Sequence, residues 1–182
     1  MSAGIGHNMG PAMDRGVAAR RFAWTRARAD LLPRSLPIEI VRRRVARARD
    51  LGLDYRSYAS VRASTGRDVI GFLFSGNALR LLKAGEGLPA DRAAKLAPLK
   101  ATRIALLQGS ARPATHDPLD RVALAPPAHA PWPRLRADLA EVLAGQGPAG
   151  GFLVVGDGWP ETDWVLAARA AGYIAAESYF GT

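Results

Sequence analysis

Beyond Pro98, short apolar runs alternate with helix-compatible stretches, and this rhythm constrains the fold more than any other feature of the chain. Residues 102–107 (TRIALL), 121–125 (RVALA), 152–155 (FLVV) and 173–176 read as strands, bounded by Pro- or Gly-containing turns. Between them, Trp132, Leu135, Leu139, Val142 and Leu143 mark one amphipathic helix, and residues 161–171 a second. Strands separated by helices imply βαβ units, hence a small α/β domain over residues 101–182 with a mostly parallel sheet of about four strands.

The preceding segment has another character. Residues 1–14 hold three glycines and a proline without periodicity and read as a flexible tail; residues 15–100 read as a basic helical domain. In the stretch 35–51, Ser35 is placed to cap, Pro37 fits the first turn and Glu39 opposes the dipole. Ile38, Val41, Val45 and Ala48 then form an apolar stripe. Asp54 caps a shorter helix over 54–63, and Thr65 with Asp68 has the form of a capping box. The run 69–82 (VIGFLFSGNALRLL) is apolar on nearly every side, which predicts a buried central helix that Ser75-Gly76-Asn77 kinks or splits. A last helix of this half ends near Leu96. The helix, short helix, Thr-Gly, helix order resembles a helix-turn-helix module.

Charge follows the same division. Residues 1–100 carry 19 Lys+Arg against 8 Asp+Glu, whereas residues 101–182 carry 6 against 8, for a net +9. Arginine outnumbers lysine 22 to 3, which fits a GC-rich bacterial coding sequence but leaves the asymmetry unexplained. The cations interleave with aromatic rings, and guanidinium forks with stacking platforms suit nucleic acid or another polyanion. The candidate contact residues are Arg20, Arg21, Trp24, Arg28, Arg42, Arg43, Arg44, Arg47 and Arg49, with Tyr55 and Tyr58 as further rings. An acidic protein partner is the alternative reading of the same face.

The segment 152–174 carries a second signal: a strand, Gly156-Asp157-Gly158, further acids, then a helix ending in Ala170-Ala171-Gly172 before another strand. This resembles the last motif of haloacid-dehalogenase-like hydrolases. The resemblance implies Mg²⁺ held by Asp157 with Glu161 or Asp163. That family places its nucleophile in an Asp-x-Asp just after the first strand. With the first strand expected at 103–107, the chain runs into Gln108-Gly109-Ser110 there and offers no attacking carboxylate. The favoured function is therefore a non-enzymatic binding protein without a cofactor, and the reduced hydrolase is the alternative.

Other chemistry is sparse. Cysteine is absent, and the three histidines stand apart with no second ligand at helical spacing. Gly4, Gly6 and Gly10 follow no strand, so they form no dinucleotide loop. Ser110 with His116 and Asp117 sits in a Pro-rich loop without fixed geometry. No apolar run approaches the roughly 20 residues needed to span a bilayer. Without a hydrophobic leader, the expected location is the cytoplasm, and no membrane partner is expected.

Overall fold

The computed structural model describes residues 36–109 and 117–181. The expectations for the tail, for the basic helix over 16–32, for the Ser35 cap and for Ser110 and His116 lie outside the described residues. Two compact units divide the chain, Met1–Val41 and Arg42–Thr182, and the architecture below is that of the second, except that its first helix begins at Ile38 in the first. The fold is α/β. Its centre is a five-stranded sheet, parallel at every pairing: β1 (Gly71–Ser75), β2 (Thr102–Leu107), β3 (Arg121–Leu124), β4 (Phe152–Gly156) and β5 (Gly172–Ala175). The spatial order is β3-β2-β1-β4-β5.

Among the described residues, seven α-helices and a short 3-10 turn accompany the strands. Helix α1 (Ile38–Asp50) and α2 (Tyr55–Thr65) precede β1, and the single turn α3 (Gly76–Leu79) follows it directly. Then come α4 (Ala90–Leu96), α5 (Trp132–Leu143), α6 (Trp159–Ala168) and α7 (Ala176–Phe180). Asp54 caps α2 as its sequence indicates, its carboxylate accepting from Ser57 N–H at 2.9 Å. Hydrogen bonding by the Ser57 side chain first, then by its backbone N–H, holds the Asp54 carboxyl below the usual carboxylate range.

Alternation along the strands sorts the core into two layers. Phe72, Phe74, Ala105, Leu107, Leu153 and Val155 face one side, packed with Ala48 and Leu51 of α1's end, Tyr58 of α2 and Tyr179 of α7. Leu73, Ile104, Leu106, Phe152 and Val154 face the other, against Leu139 and Val142 of α5 and Trp164 and Ala167 of α6. Each large apolar side chain so buried contributes about 1.5–3 kcal/mol.

One expectation is corrected. The run 69–82 is not a helix: it supplies β1, the middle strand, followed by one helical turn that Ser75 caps by accepting from Ala78 N–H at 3.1 Å. A parallel strand covered on both faces has no polar alternation, so it reads as continuously apolar, as a buried helix does. The sheet accordingly has five strands rather than about four, and draws on both sides of residue 100. With strand β1 rather than a helix next after Thr65, the helix-turn-helix resemblance does not hold. Thr65 starts no capping box either; its hydroxyl donates to Val61 O at 2.8 Å and accepts from Arg67 N–H at 3.1 Å.

Gly71 opens β1 for a packing reason. A Cβ there would lie 2.3 Å from Cε1 of Phe152, its register partner on β4, and 2.9 Å from the Thr102 carbonyl oxygen. Gly71→Ala should lower unfolding free energy by about 1–3 kcal/mol, the cost of overpacking a filled interior, in urea titrations followed by circular dichroism. An unchanged midpoint would mean that β1 and β4 do not approach this closely.

Candidate nucleic-acid interface and carboxyl-edge site

Five of the nine candidate arginine and tryptophan positions fall within α1, and the fold gives them different tasks. Arg47 reaches past the end of its helix to the beginnings of two strands. Its Nε donates to Asp68 Oδ2 at 3.0 Å, Nη1 to the Lys100 carbonyl at 3.0 Å and Nη2 to the Val69 carbonyl at 2.7 Å. Asp68 also accepts from the Tyr58 hydroxyl at 2.8 Å, and Arg62 lies 3.8 Å from the same carboxylate. Burial, then the hydrogen bond to the Asp68 carboxylate, raises the Tyr58 hydroxyl above its ordinary pKa. Arg47 is thus a structural clamp tying α1 to the amino ends of β1 and β2, and Tyr58 is a core ring rather than a stacking platform.

Arg44 is half-buried, whereas Arg42, Arg43 and Arg49 are exposed. Asp50 shares the outward side of α1, but Lys100 Nζ stands 2.9 Å from its carboxylate and compensates its charge. Arg20, Arg21, Trp24 and Arg28 lie outside the described residues. Outside α1, Arg56, Arg67, Arg80, Arg136 and Arg169 are also exposed, while three other arginines are engaged within the domain. Arg103 forks onto Asp120 at 2.8 and 2.9 Å, and Arg121 donates to the Val142 carbonyl at 2.7 Å. Arg92 is buried with its guanidinium 4.0 Å over the Phe180 ring.

At the opposite edge, the carboxyl ends of β1 and β4 bring together residues 84 positions apart. Asn77 Nδ2 donates to Glu161 Oε1 at 2.8 Å. Glu161 is 1% exposed, and its Oε2 has no hydrogen-bond partner. The glycines beside Asp157 make room for this carboxylate. A Cβ at Gly156 would lie 2.7 Å from Glu161 Cβ, and one at Gly158 3.0 Å from Glu161 Oε2. Asp157 is exposed and Asp163 half-buried. Burial first, then the charges of Glu161 and Asp157, push the Tyr173 hydroxyl above its ordinary pKa.

The donor set does not fit the Mg²⁺ expected on Asp157, Glu161 and Asp163. Among the described residues no group of three His, Cys, Asp or Glu side chains is arranged to hold a metal ion. One oxygen of Glu161 is already committed to an amide, and hard divalent cations need several oxygens at close range. With β1 identified as the first strand, its last residue and the two after it are also known: Ser75, Gly76 and Asn77 stand where the hydrolases that segment 152–174 resembles carry Asp-x-Asp. Ser75 is buried, and its oxygen serves as the cap of α3. Neither residue is a carboxylate able to attack phosphorus.

Sequence reasoning missed Ser75 and Asn77 because their segment read as a helix interior. The available signal was the matching turn chemistry, Ser-Gly-Asn after FLF and Gly-Asp-Gly after FLVV. No family model matches the chain, and neither a curated protein nor a solved structure does. Among the described residues no helix is long and apolar enough to cross a membrane.

The clamp and the exposed arginines should respond differently to truncation. Arg47→Ala strands a partly buried carboxylate and two carbonyls and should cost about 2–3 kcal/mol in urea unfolding, while Arg43→Ala should stay within about 0.5 kcal/mol. Equal small effects would remove the clamp.

Proposed function

We propose that this chain is a cytoplasmic, non-enzymatic binding protein whose basic helical face contacts nucleic acid, with the α/β fold as its scaffold. The carrying observation is the division of labour along α1. Arg47 fixes the helix to the sheet, and Arg42, Arg43 and Arg49 stay exposed on it. A guanidinium held on an anchored helix loses less conformational freedom on meeting a phosphate than one on a loose strand. Arg20, Arg21, Trp24 and Arg28 extend the same chemistry along the chain toward the amino terminus. The compensation of Asp50 by Lys100 further favours an anionic partner at this face.

The hydrolase reading has less support, since the turn after β1 carries Ser75 and Asn77 and no carboxylate. An acidic protein docked on the same arginines is the second reading, favoured by the same exposed positions.

Fluorescence anisotropy with a labelled DNA duplex, using the full chain, separates these readings. Binding should weaken steeply between about 50 and 200 mM salt, with each lost phosphate contact removing about 0.9 from the log–log slope. Changing Arg42, Arg43 and Arg49 together to Ala should lower that slope by roughly 2–3. A slope and affinity that ignore this triple change would overturn the assignment to α1. Absence of DNA and RNA binding together with capture of one acidic protein would favour the second reading.

A further inference from the structure

Strands β1 and β4 are neighbours whose chains leave in opposite directions, β1 toward β2 and β4 toward β5. In open parallel sheets, ligands occupy the crevice that such a divergence leaves outside the strands' carboxyl ends. Here the β1 end contributes Ser75 and Asn77, and the β4 end contributes Asp157 and Glu161. A cavity of about 100 Å³ lies at the β1 end of this edge, lined in part by Ser75, Asn77, Gln108 and Trp164.

Glu161 is the anomaly. It is almost wholly buried, one oxygen bonded to Asn77 and the other orphaned. Leaving a buried carboxylate oxygen without a donor is costly, and native interiors rarely tolerate it without a compensating use. Among the described residues no Lys, Arg or His forms an ion pair with Glu161 or Asp157. A partner that brings donors and positive charge would satisfy this oxygen and offset the buried carboxylate. Oε2 packs against the bare backbone of Gly158, where a Cβ would crowd it at 3.0 Å, so glycine leaves this oxygen room.

We propose that the crevice between β1 and β4 binds a small organic cation, an ammonium or guanidinium group, which donates to Glu161 Oε2 with Asp157 at the mouth. The site stands apart from the α1 face, which meets the amino ends of the strands. It replaces metal chemistry with hydrogen bonding: Asn77 satisfies one carboxylate oxygen and leaves the other for the ligand. The carboxylate is retained at the expense of the fold, as binding residues commonly are.

The test uses the ¹⁵N-labelled full chain, titrated with methylguanidinium chloride and, separately, ethylammonium chloride, each replacing NaCl so that ionic strength is constant. The Asn77 side-chain amide and the Gly158 backbone signal should shift saturably, with Kd of roughly millimolar order for one or both cations. Which cation binds more tightly distinguishes the two head groups. Glu161→Gln should weaken binding at least about tenfold, the loss of one charged hydrogen bond, while Asp138→Asn on α5 leaves it unchanged. Without added cation, Glu161→Gln should melt on the order of 2–4 °C higher, because a buried charge is gone. Non-saturable shifts, equal binding by Glu161→Gln, or tighter occupancy of the same signals by Mg²⁺ would overturn the proposal. A lower melting point of Glu161→Gln would also count against it, by giving the carboxylate a purely structural role.

Discussion

The parallel pairing of β1 with β2 on one side and β4 on the other is the interaction on which the rest of the molecule depends. All five residues of β1 are buried, and both edges of the strand are hydrogen-bonded. Without it, β3-β2 and β4-β5 would be two short ribbons with uncovered apolar faces, each too small to bury its own core. The strand also positions both candidate surfaces. Asp68 and Val69, just before it, receive the Arg47 guanidinium; Asn77, just after it, meets Glu161. Five residues of strand therefore separate a basic edge from an acidic one.

Charge in this chain is informative only after the fold has sorted it. Arg47, Arg103 and Arg121 spend their donors on carboxylates and carbonyls within the domain, and Arg92 is buried against an aromatic ring. Their contribution to long-range attraction for an anion persists, but they cannot form a fork with phosphate. Arg43 and Arg49 keep their side chains in solvent. On the acidic side, Asp68 and Asp120 pair with arginines, whereas Glu161 is buried with only an amide for company. That contrast distinguishes a carboxylate serving the fold from one whose environment asks for a ligand.

Strands β2 to β5 and helices α5 and α6 were legible from the sequence, because alternating patterns, Pro and Gly punctuation and apolar periodicity all agreed. The Asp54 cap was legible for the same reason: a short acid before a helical run has one favourable local partner. β1 was not. Its residues are apolar on both faces, and a five-residue strand followed at once by a helical turn imitates a longer buried helix. That error hid the site, since Ser75 and Asn77 gain meaning only as the loop at the end of a central strand. The arginine cluster was legible as composition, but the task of Arg47 depends on Asp68, Val69 and Lys100, which are distant in sequence and brought near by the parallel register.

The most direct test of the account is a map of backbone amide shifts when a short DNA duplex is added to the ¹⁵N-labelled full chain at low salt. Perturbations should concentrate on α1 at Arg42, Arg43 and Arg49, leaving Asn77 and Gly158 at the carboxyl edge unmoved. Shifts confined to the carboxyl edge, or none along α1, would contradict it.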